Sequence, residues 1–311
     1  MTTKTTKLGG RVIATGLAFP EGPVAMPDGS VVLVEIARGT LTRVLPDGRT
    51  EVIAKTGGGP NGAALGPDGC FYLCNNGGFA WGREPDGLLR PIGRAEDYSG
   101  GRIERVNPAD GKVEVLYTEC NGVTLKGPND LVLDGRGGIW FTDLGKVYGR
   151  QMDRGAIYYA RTDGSLIREV AFPLITPNGI GLSPDGKTLY VAETEPARLW
   201  KFAITGEGTV HRDPWPSPHG GQLVAGLAGY QRFDSLAVEE GGNICVATLI
   251  RGGISVISPA GDLLEFHEAP EPYCTNICFG GPDRRKAYVT LSGFGTLVEV
   301  DWPRAGLALA A

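Results

Sequence analysis

A short pattern recurs six times along the chain, and each copy opens with an acidic or amide side chain. That side chain is followed by a short apolar run, a turn and a second apolar run, as in EGPVAMPDGSVVLVE and NGAALGPDGCFYLCNN. The first two copies begin forty residues apart, and self-similarity at such a period predicts a repeat architecture. The opening residues of the six copies are Glu21, Asn61, Asn129, Asn178, Asp234 and Asn276.

A second recurring unit lies between these copies. Segments such as GTLTRVLPDGRTEVIA and GAIYYARTDGSLIREVA alternate polar and apolar residues around an Asp-Gly turn, which is typical of antiparallel hairpins. The two units together give four strands per repeat, and four-stranded units repeated radially form a β-propeller. We therefore predict an all-β fold, a six-bladed β-propeller of four-stranded antiparallel blades. It is predicted to be a single domain over residues 1–311, with residues 1–7 disordered.

The ends of the chain suggest how the ring closes. The last repeat has only three evident strands, NICFGG, KAYVTLS and TLVEVDW, whereas GRVIATGLAF precedes the first copy and lacks a partner. We predict that this N-terminal run is the outer strand of the last blade. The C-terminal GLALAA is the alternative for the same position.

Strand polarity predicts where a site would lie. In an up-and-down blade, the loop into the first strand and the loop between the second and third strands lie on the same face. The long connections 75–101, 143–155 and 212–232 are all predicted on that face, where the six opening residues also lie. Variable loops at one mouth of a rigid scaffold are the usual arrangement of a binding or catalytic site.

Composition excludes several classes of function. A net charge of −5 and scattered Lys and Arg give no electrostatic reason to expect nucleic acid. No apolar stretch approaches the roughly 20 residues needed to cross a membrane, and MTTKTTKLGG lacks the apolar centre of a secretory signal. We predict a cytoplasmic protein whose partner is a small-molecule substrate, of unassigned oligomeric state. The six cysteines are predicted to be buried, reduced thiols.

Four of the opening residues form a candidate metal site. Glu21, Asn129, Asn178 and Asp234 offer two carboxylates and two amide carbonyls around one axis. These hard oxygen ligands suit calcium, magnesium or manganese, and two carboxylates would neutralise a divalent ion. The chain has three histidines, none of them at an opening position, which weakens a zinc interpretation. Asn61 and Asn276 are predicted to be turn residues that bind their own backbone.

Several segments in this order resemble one known family. FPEGPV, GPNDLVLDGRGGIWFTD, TPNGIGLSPDGKTLYVAET, FDSLAV and TNICFGGPD together resemble the regucalcin/gluconolactonase family of six-bladed propellers, which includes senescence marker protein and luciferin-regenerating enzyme. The resemblance implies a central divalent cation, most commonly calcium, held at the positions of Glu21, Asn178 and Asp234. Magnesium, manganese and zinc are the alternatives. It further implies that Asn129 binds the metal or holds substrate, and that the commonest activity is lactone hydrolysis.

The expected activity is that of a metal-dependent hydrolase acting on a carboxylic ester, a small lactone. The metal acts as Lewis acid and Asp234 as general base, with direct nucleophilic attack by Asp234 as the alternative. Trp81, Tyr148 and Arg251 are further candidates for substrate binding. Relatives that act on sugar lactones carry Arg-x-Asn-Asp where this chain has Gly127-Pro128-Asn129-Asp130. The missing guanidinium weakens the expectation of an aldonolactone substrate.

Two other functions remain open at this level. The same metal site fits organophosphate or ester hydrolysis or metal-assisted proton transfer, and a propeller of this kind also serves as a non-catalytic binding module. Ser235 lacks the context of a nucleophile and is expected to donate a hydrogen bond. Asp143, Glu193 and Glu195 are expected to fix loops or remain solvated.

Overall fold

The computed structural model describes residues 3–309, which form strands, turns and loops without a helix. Six antiparallel sheets, four of them with four strands and two with a fifth, are arranged around a central axis as a six-bladed β-propeller, so the predicted fold class is confirmed. The innermost strands contact one another in chain order, and the innermost strand of the sixth sheet contacts that of the first. Among residues 3–309 no helix is long and apolar enough to cross a bilayer.

The first three blades follow one another along the chain, after two N-terminal strands, β1 (Lys4–Lys7) and β2 (Arg11–Ala14). Blade one contains β3 (Pro20–Ala25), β4 (Val31–Glu35), β5 (Thr40–Val44) and β6 (Thr50–Lys55). Blade two contains β7 (Pro60–Leu65) and β8 (Phe71–Asn75), an inserted hairpin of β9 (Phe79–Arg83) and β10 (Leu89–Arg94), then β11 (Arg102–Val106) and β12 (Val113–Tyr117). After a short hairpin of β13 (Glu119–Cys120) and β14 (Val123–Thr124), blade three contains β15 (Pro128–Leu133), β16 (Gly138–Asp143), an inserted hairpin of β17 (Val147–Tyr148) and β18 (Gln151–Met152), β19 (Gly155–Arg161) and β20 (Ile167–Leu174).

The last three blades repeat the same order. Blade four contains β21 (Pro177–Leu182), β22 (Thr188–Glu193), β23 (Arg198–Gly206), the short β24 (Thr209–Val210) and the outer strand β25 (Gln222–Gly226). Blade five contains β26 (Arg232–Val238), β27 (Ile244–Leu249), β28 (Gly253–Ile257) and β29 (Leu263–Glu268). Blade six contains β30 (Cys274–Gly280), β31 (Lys286–Leu291) and β32 (Thr296–Asp301), with β2 beside β32.

The N-terminal segment contributes to two blades. β2 pairs antiparallel with β32, with Arg11 opposite Glu299 and Val12 opposite Val298. β1 pairs in parallel with β29. The sequence predicts disorder over residues 1–7, whereas Lys4–Lys7 form this strand; Met1 and Thr2 lie outside the described residues.

The C-terminal segment lies beside blade five. The backbone of Gly306 bridges to Glu239, and the Leu307 amide donates to the Val238 carbonyl. Residues 306–309 of GLALAA therefore do not occupy the outer position of blade six. Its last two residues lie outside the described part of the chain.

One predicted connection differs from the structure. The sequence places the whole of 212–232 at the mouth, as a connection into blade five. Instead, β24 is a short return, and Gln222–Gly226 pairs with β23 as the outer strand. The sequence gives no clear sign of this strand, because the Pro- and Gly-rich stretch after β24 interrupts the alternation of polar and apolar residues. Only residues 227–231 connect blade four to blade five.

The core consists of six apolar clusters, one between each pair of adjacent blades. The cluster between blades three and four, for example, packs Trp140 and Tyr159 against Trp200 and Phe202. All six cysteines are buried and free, as predicted. Because every blade buries both faces against its neighbours, the axial ends of the innermost strands are held in fixed positions.

Candidate metal centre and axial cavity

An irregularity in each innermost strand displays the opening residues of the six copies. The ladder between the first two strands shifts register just after Glu21, and equivalent shifts occur in the other five blades. A bulge of this kind bends a strand and re-aims its side chains, and bulges are common next to active sites. Each copy of the sequence pattern therefore contains a bulge, and the bulge directs one polar side chain per blade toward the axis.

Gly22 explains why glycine so often follows the opening residue. Its φ is +52°, and a Cβ built there would lie 2.5 Å from the Asn61 carbonyl oxygen of the next blade. Both the left-handed backbone and the close approach of adjacent innermost strands require glycine at this position. The narrow axis then brings Glu21 close to its counterparts in the other blades.

Glu21 is a buried carboxylate held in one orientation. Its Oε2 accepts a hydrogen bond of 2.8 Å from the Gly22 amide and one of 2.7 Å from Asn276 Nδ2. Burial raises the pKa of Glu21, and these hydrogen bonds oppose that effect. Asn276 Oδ1 also accepts from the Ile277 amide at 2.7 Å, which is the predicted turn contact. Its Nδ2 has the additional role of positioning Glu21.

Two more carboxylic acids share the axis with Glu21. Burial, with the negative charge of Glu21 as the next cause, raises the pKa of Asp234 well above its usual range. The same two causes raise the pKa of buried Asp130 to about 7. Three acids crowded in this way destabilise one another's ionised forms, and a bound cation is the partner that relieves such repulsion.

The amide side chains supply neutral oxygens. Asn178 Nδ2 donates to Thr194 Oγ1 at 3.1 Å, so its Oδ1 is turned the opposite way, where Ser235 Oγ lies at 3.4 Å. Asn129 is 4% exposed, and its buried Oδ1 has no hydrogen-bond partner among the described residues. Leaving a buried carbonyl oxygen without a partner costs about 1 to 3 kcal/mol, unless a ligand or cation occupies the adjacent space.

This donor set fits a hard divalent cation. Within residues 3–309 no group of three or more His, Cys, Asp or Glu side chains is placed to hold a metal on its own. A centre at the axis therefore depends on the amides as well as the acids. Two carboxylates with the unpartnered Asn129 Oδ1 and the oriented Asn178 Oδ1 supply oxygens only, which is the chemistry that calcium and magnesium prefer.

The cavity above these residues has a volume of about 360 Å³. Glu21, Asn61, Asn129, Asn178 and Asp234 form its floor, and Asp234 retains partial exposure. Its wall comes largely from β9, β10 and the loop that follows β16. The structure thus brings the four predicted metal-ligand candidates into one cavity, with the insertions 75–101 and 143–155 around its mouth.

The other predicted substrate-binding residues lie elsewhere. Trp81 packs against Phe19, with ring centroids 4.9 Å apart, and the Arg251 guanidinium lies 3.6 Å from the Phe266 ring centroid. Tyr148 Oη donates to Asp153 Oδ2 at 2.6 Å. Of the described residues that line the cavity, none is one of these three. Their predicted role in substrate binding therefore has no support from the residues that line this cavity.

The acids at the ends of the second strands fix loops, as expected. Asp143 accepts hydrogen bonds of 2.7 Å from the Lys126 and Gly127 amides and one of 2.9 Å from the Gly145 amide. Glu193 accepts from the Ile175 amide and from Trp200 Nε1. Both carboxylates therefore hold the first and second strands of their blades together at the mouth.

Sequence reasoning missed three groups at the site. Asp130 directly follows the opening residue Asn129, so the only signal for it was the acid of the Asn-Asp pair. Lys146 and Arg94 line the cavity from the inserted loops, where the repeat pattern does not extend. Their positions follow from loop folding and had no sequence signal.

Comparisons with known proteins agree with this architecture. Residues 19–293 match the family described as SMP-30/Gluconolactonase/LRE-like region. A gluconolactonase from Zymomonas mobilis is 25% identical over 300 residues, covering 86% of this chain and 75% of that protein. Lactonase drp35 from Staphylococcus saprophyticus is 29% identical over 243 residues, covering 76% of this chain and 66% of that protein, just under two thirds of its length.

Solved structures show the same fold. Regucalcin from Agrobacterium tumefaciens, described as a calcium-binding protein, superposes with a TM-score of 0.74 at 18% identity, covering 99% of this chain and 100% of that one. A gluconolactonase from Xanthomonas campestris superposes with a TM-score of 0.72 at 23% identity, covering 94% and 91%. At these identities the likeness concerns the fold.

Proposed function

Since the chain belongs to the SMP-30/Gluconolactonase/LRE-like family, we propose that it is a divalent-cation-dependent hydrolase that opens a small lactone. The observation that carries the proposal is the convergence of Glu21, Asn129, Asn178 and Asp234 on the floor of one cavity, with the buried Asn129 Oδ1 unpartnered. A platform for docking another protein has no need of such an oxygen set. Gluconolactonase and lactonase are also the names of the relatives at 25% and 29% identity.

We propose calcium as the cation, held by those four side chains. When bound, it supplies positive charge that polarises the lactone carbonyl and stabilises the developing oxyanion. Glu21 is held ready for this role by Asn276 and by the Gly22 amide, so its carboxylate needs no reorientation. Asn178 is oriented in the same way by Thr194.

Asp234 is the proposed general base. It is the carboxylate of the floor that retains partial exposure to the cavity, so an attacking water can approach it. Asp234 takes a proton from the attacking water as the new C–O bond forms at the carbonyl carbon. The ring C–O bond then breaks, and the leaving alkoxide takes up the proton, giving the open hydroxy acid.

The test is hydrolysis of a lactone panel by EDTA-stripped protein, with Ca²⁺, Mg²⁺, Mn²⁺ or Zn²⁺ restored one at a time. We expect turnover to return with one or more of these ions and with none of the monovalent controls. The restoring ion should also raise the unfolding temperature, because at 100 times its Kd it stabilises the fold by about 2.7 kcal/mol. For a chain of this length that is roughly 4 °C.

Two results would contradict the proposal. Full turnover in EDTA would show that the reaction does not require a divalent cation. A cation that binds and stabilises the protein without turnover of any lactone would favour the other reactions that this site fits, or a non-catalytic binding module.

A further inference from the structure

Four basic side chains line the cavity above its acidic floor: Arg90, Arg94, Lys146 and Arg232. Two of them are already paired with carboxylates, Arg90 with Glu84 at 2.5 Å and Arg232 with Glu195 at 3.0 Å. Arg94 and Lys146 form no ion pair with any carboxylate in the part of the chain that the structure describes. Two basic side chains of the upper wall therefore have no carboxylate partner among the described residues.

Lys146 is the more unusual of the two. It is 2% exposed, yet its ammonium is held only by neutral groups, Asn76 Oδ1 and the Gly78 carbonyl oxygen, both at 3.0 Å, and by the Phe79 ring at 4.0 Å. An ammonium has three donors, so one N–H remains beyond these two hydrogen bonds. The closest acid along the chain, Asp143, is occupied by three backbone amides. Burial lowers the pKa of Lys146 to about 7, the Asp143 charge opposes that, and Arg94 adds to it.

Arg94 and Lys146 lie on the same aromatic ring. The Arg94 guanidinium is 5.3 Å and the Lys146 ammonium 5.4 Å from the Tyr98 centroid, and Arg94 also lies 4.9 Å from the Tyr148 centroid. The positive charge of Arg94 acts on Lys146, and an anion near both side chains would offset their mutual repulsion. Arg94 comes from β10 and Lys146 from the loop after β16, so both cavity insertions contribute.

Gly127 occupies the position at which relatives that act on sugar lactones carry arginine, and it lies against the loop that carries Lys146. A Cβ at position 127 would lie 2.5 Å from the Gly145 carbonyl oxygen. The loop that carries Lys146 therefore occupies the space that any side chain at 127 would need. This chain therefore has no arginine at 127. A basic side chain still lines the cavity, but it is Lys146, held beside Asn76 and Gly78.

We propose that Lys146 and Arg94 form an anion subsite and that the substrate is a lactone bearing a carboxylate. The inference rests on the proposed lactone hydrolysis. The carbonyl of such a substrate faces the oxygen-lined floor, and its carboxylate faces the two cations of the wall. Arg presents a fork of donors that matches a carboxylate, and Lys146 adds its remaining N–H.

The test compares two γ-butyrolactones, one bearing a ring carboxylate and the other a hydroxymethyl group at the same position. Wild-type protein should prefer the carboxylate by roughly 10- to 100-fold in kcat/KM, the effect of a hydrogen-bonded charge in a partly buried site. Lys146→Met should abolish most of that preference, lowering kcat/KM for the carboxylate lactone far more than for the neutral one. Arg94→Gln, at an exposed position, should reduce the preference by roughly three- to tenfold.

Arg83→Gln is the matched control, because it removes an exposed arginine from the same hairpin outside the cavity lining. It should leave the preference unchanged. An equal loss for both lactones in Lys146→Met would overturn the proposal, since it would show that Lys146 only joins the two loops. If Lys146→Met does not fold, an unchanged preference in Arg94→Gln overturns it.

Binding separates this inference from the proposed reaction. The probes are the corresponding cyclic ethers, tetrahydrofuran carboxylate and tetrahydrofurfuryl alcohol, which cannot be hydrolysed. By calorimetry at pH 8, the carboxylate should bind more tightly and take up a fraction of one proton, a signal that Lys146→Met should lose. Equal binding of both ethers overturns the anion subsite. Failure of every lactone to react, with this binding intact, would overturn the hydrolase and the lactone substrate but leave the anion subsite standing.

Discussion

Side chains at equivalent positions of the repeat have different roles, because their neighbours differ. Burial raises the pKa of both Glu21 and Asp234, and the Glu21 charge raises the pKa of Asp234 further. Asn276 uses one end of its amide to bind its own backbone and the other to hold Glu21. Asn129 has a buried oxygen without a partner among the described residues. The repeat provides the positions, and the residue type at each position decides between ligand and support.

Asp234→Asn should separate cation binding from chemistry. The amide keeps an oxygen toward the site but cannot accept a proton, so activity on a lactone should fall by about 10²- to 10⁴-fold. Cation affinity, measured by calorimetry, should fall far less than activity. The matched variant Glu21→Gln should weaken both, because Glu21 is proposed as a ligand only. Near-normal turnover by Asp234→Asn with the cation bound would contradict the assignment of Asp234 as base.

At the scale of single elements, the segment before β25 differs most from its sequence prediction. Its residue His219 is 3% exposed and packs against Trp200, with ring centroids 4.5 Å apart. Nδ1 accepts a hydrogen bond from the Gly221 amide, whereas the buried Nε2 has no partner among the residues described. Burial, with the nearby Arg212 charge as a second cause, lowers the pKa of His219 to about 4. The folded protein therefore keeps this histidine neutral.

Protonation of His219 should contribute to acid sensitivity. Its folded pKa of about 4 lies below the ordinary value of 6.5, so the unfolded chain binds the proton more readily. The contribution to stability is complete above pH 6.5 and is lost as the pH falls toward 4. Between pH 8 and pH 5 this is a loss of about 2 kcal/mol.

Urea unfolding at pH 8 and pH 5 measures this effect. Between these pH values, the free energy of unfolding of His219→Gln should fall by about 2 kcal/mol less than that of the wild type. His211→Gln is the control, because His211 lies in the same segment with its side chain 63% exposed. It should retain the wild-type pH dependence. A wild-type loss that His219→Gln leaves unchanged would show that other groups cause it.

At the scale of the whole molecule, the ring depends on contacts between residues far apart in the chain. Ser292 Oγ donates to the Pro20 carbonyl oxygen at 2.5 Å, and Asn276 holds Glu21 across 255 positions. Between blades six and one, Ala14 and Leu17 pack with Leu33 and Leu297 in one apolar cluster. The metal-ligand candidates come from blades one, three, four and five, so the floor of the cavity exists only when the ring is complete.

Removal of β2 tests whether the N-terminal strand closes the ring. Deletion of residues 1–15 should lower the free energy of unfolding by about 2 to 4 kcal/mol more than deletion of residues 1–8, which removes β1 alone. The difference reflects the lost ladder with β32 and the unpaired edge it leaves. Denaturant unfolding measures both variants. Equal stabilities would mean that the ring closes without this strand.

Much of the fold was already determined by the sequence. Six repeated innermost strands, the turns that follow them and the oxygen-bearing side chain of each copy follow from local chemistry, because alternation and turn residues act between near neighbours. The oxygen set at the axis and the resemblance to a lactonase family were therefore visible in the residues.

Tertiary structure alone decided which of these side chains work together. The pairing of Asn276 with Glu21, the raised pKa of Asp130, the true outer strand of blade four and the contact of both Lys146 and Arg94 with Tyr98 all join residues whose separation in sequence carries no periodic signal. Such contacts depend on burial and on loop paths, which are set when the blades pack. The repeat therefore determines where a site must lie, and the packed loops determine what charge it presents to a substrate.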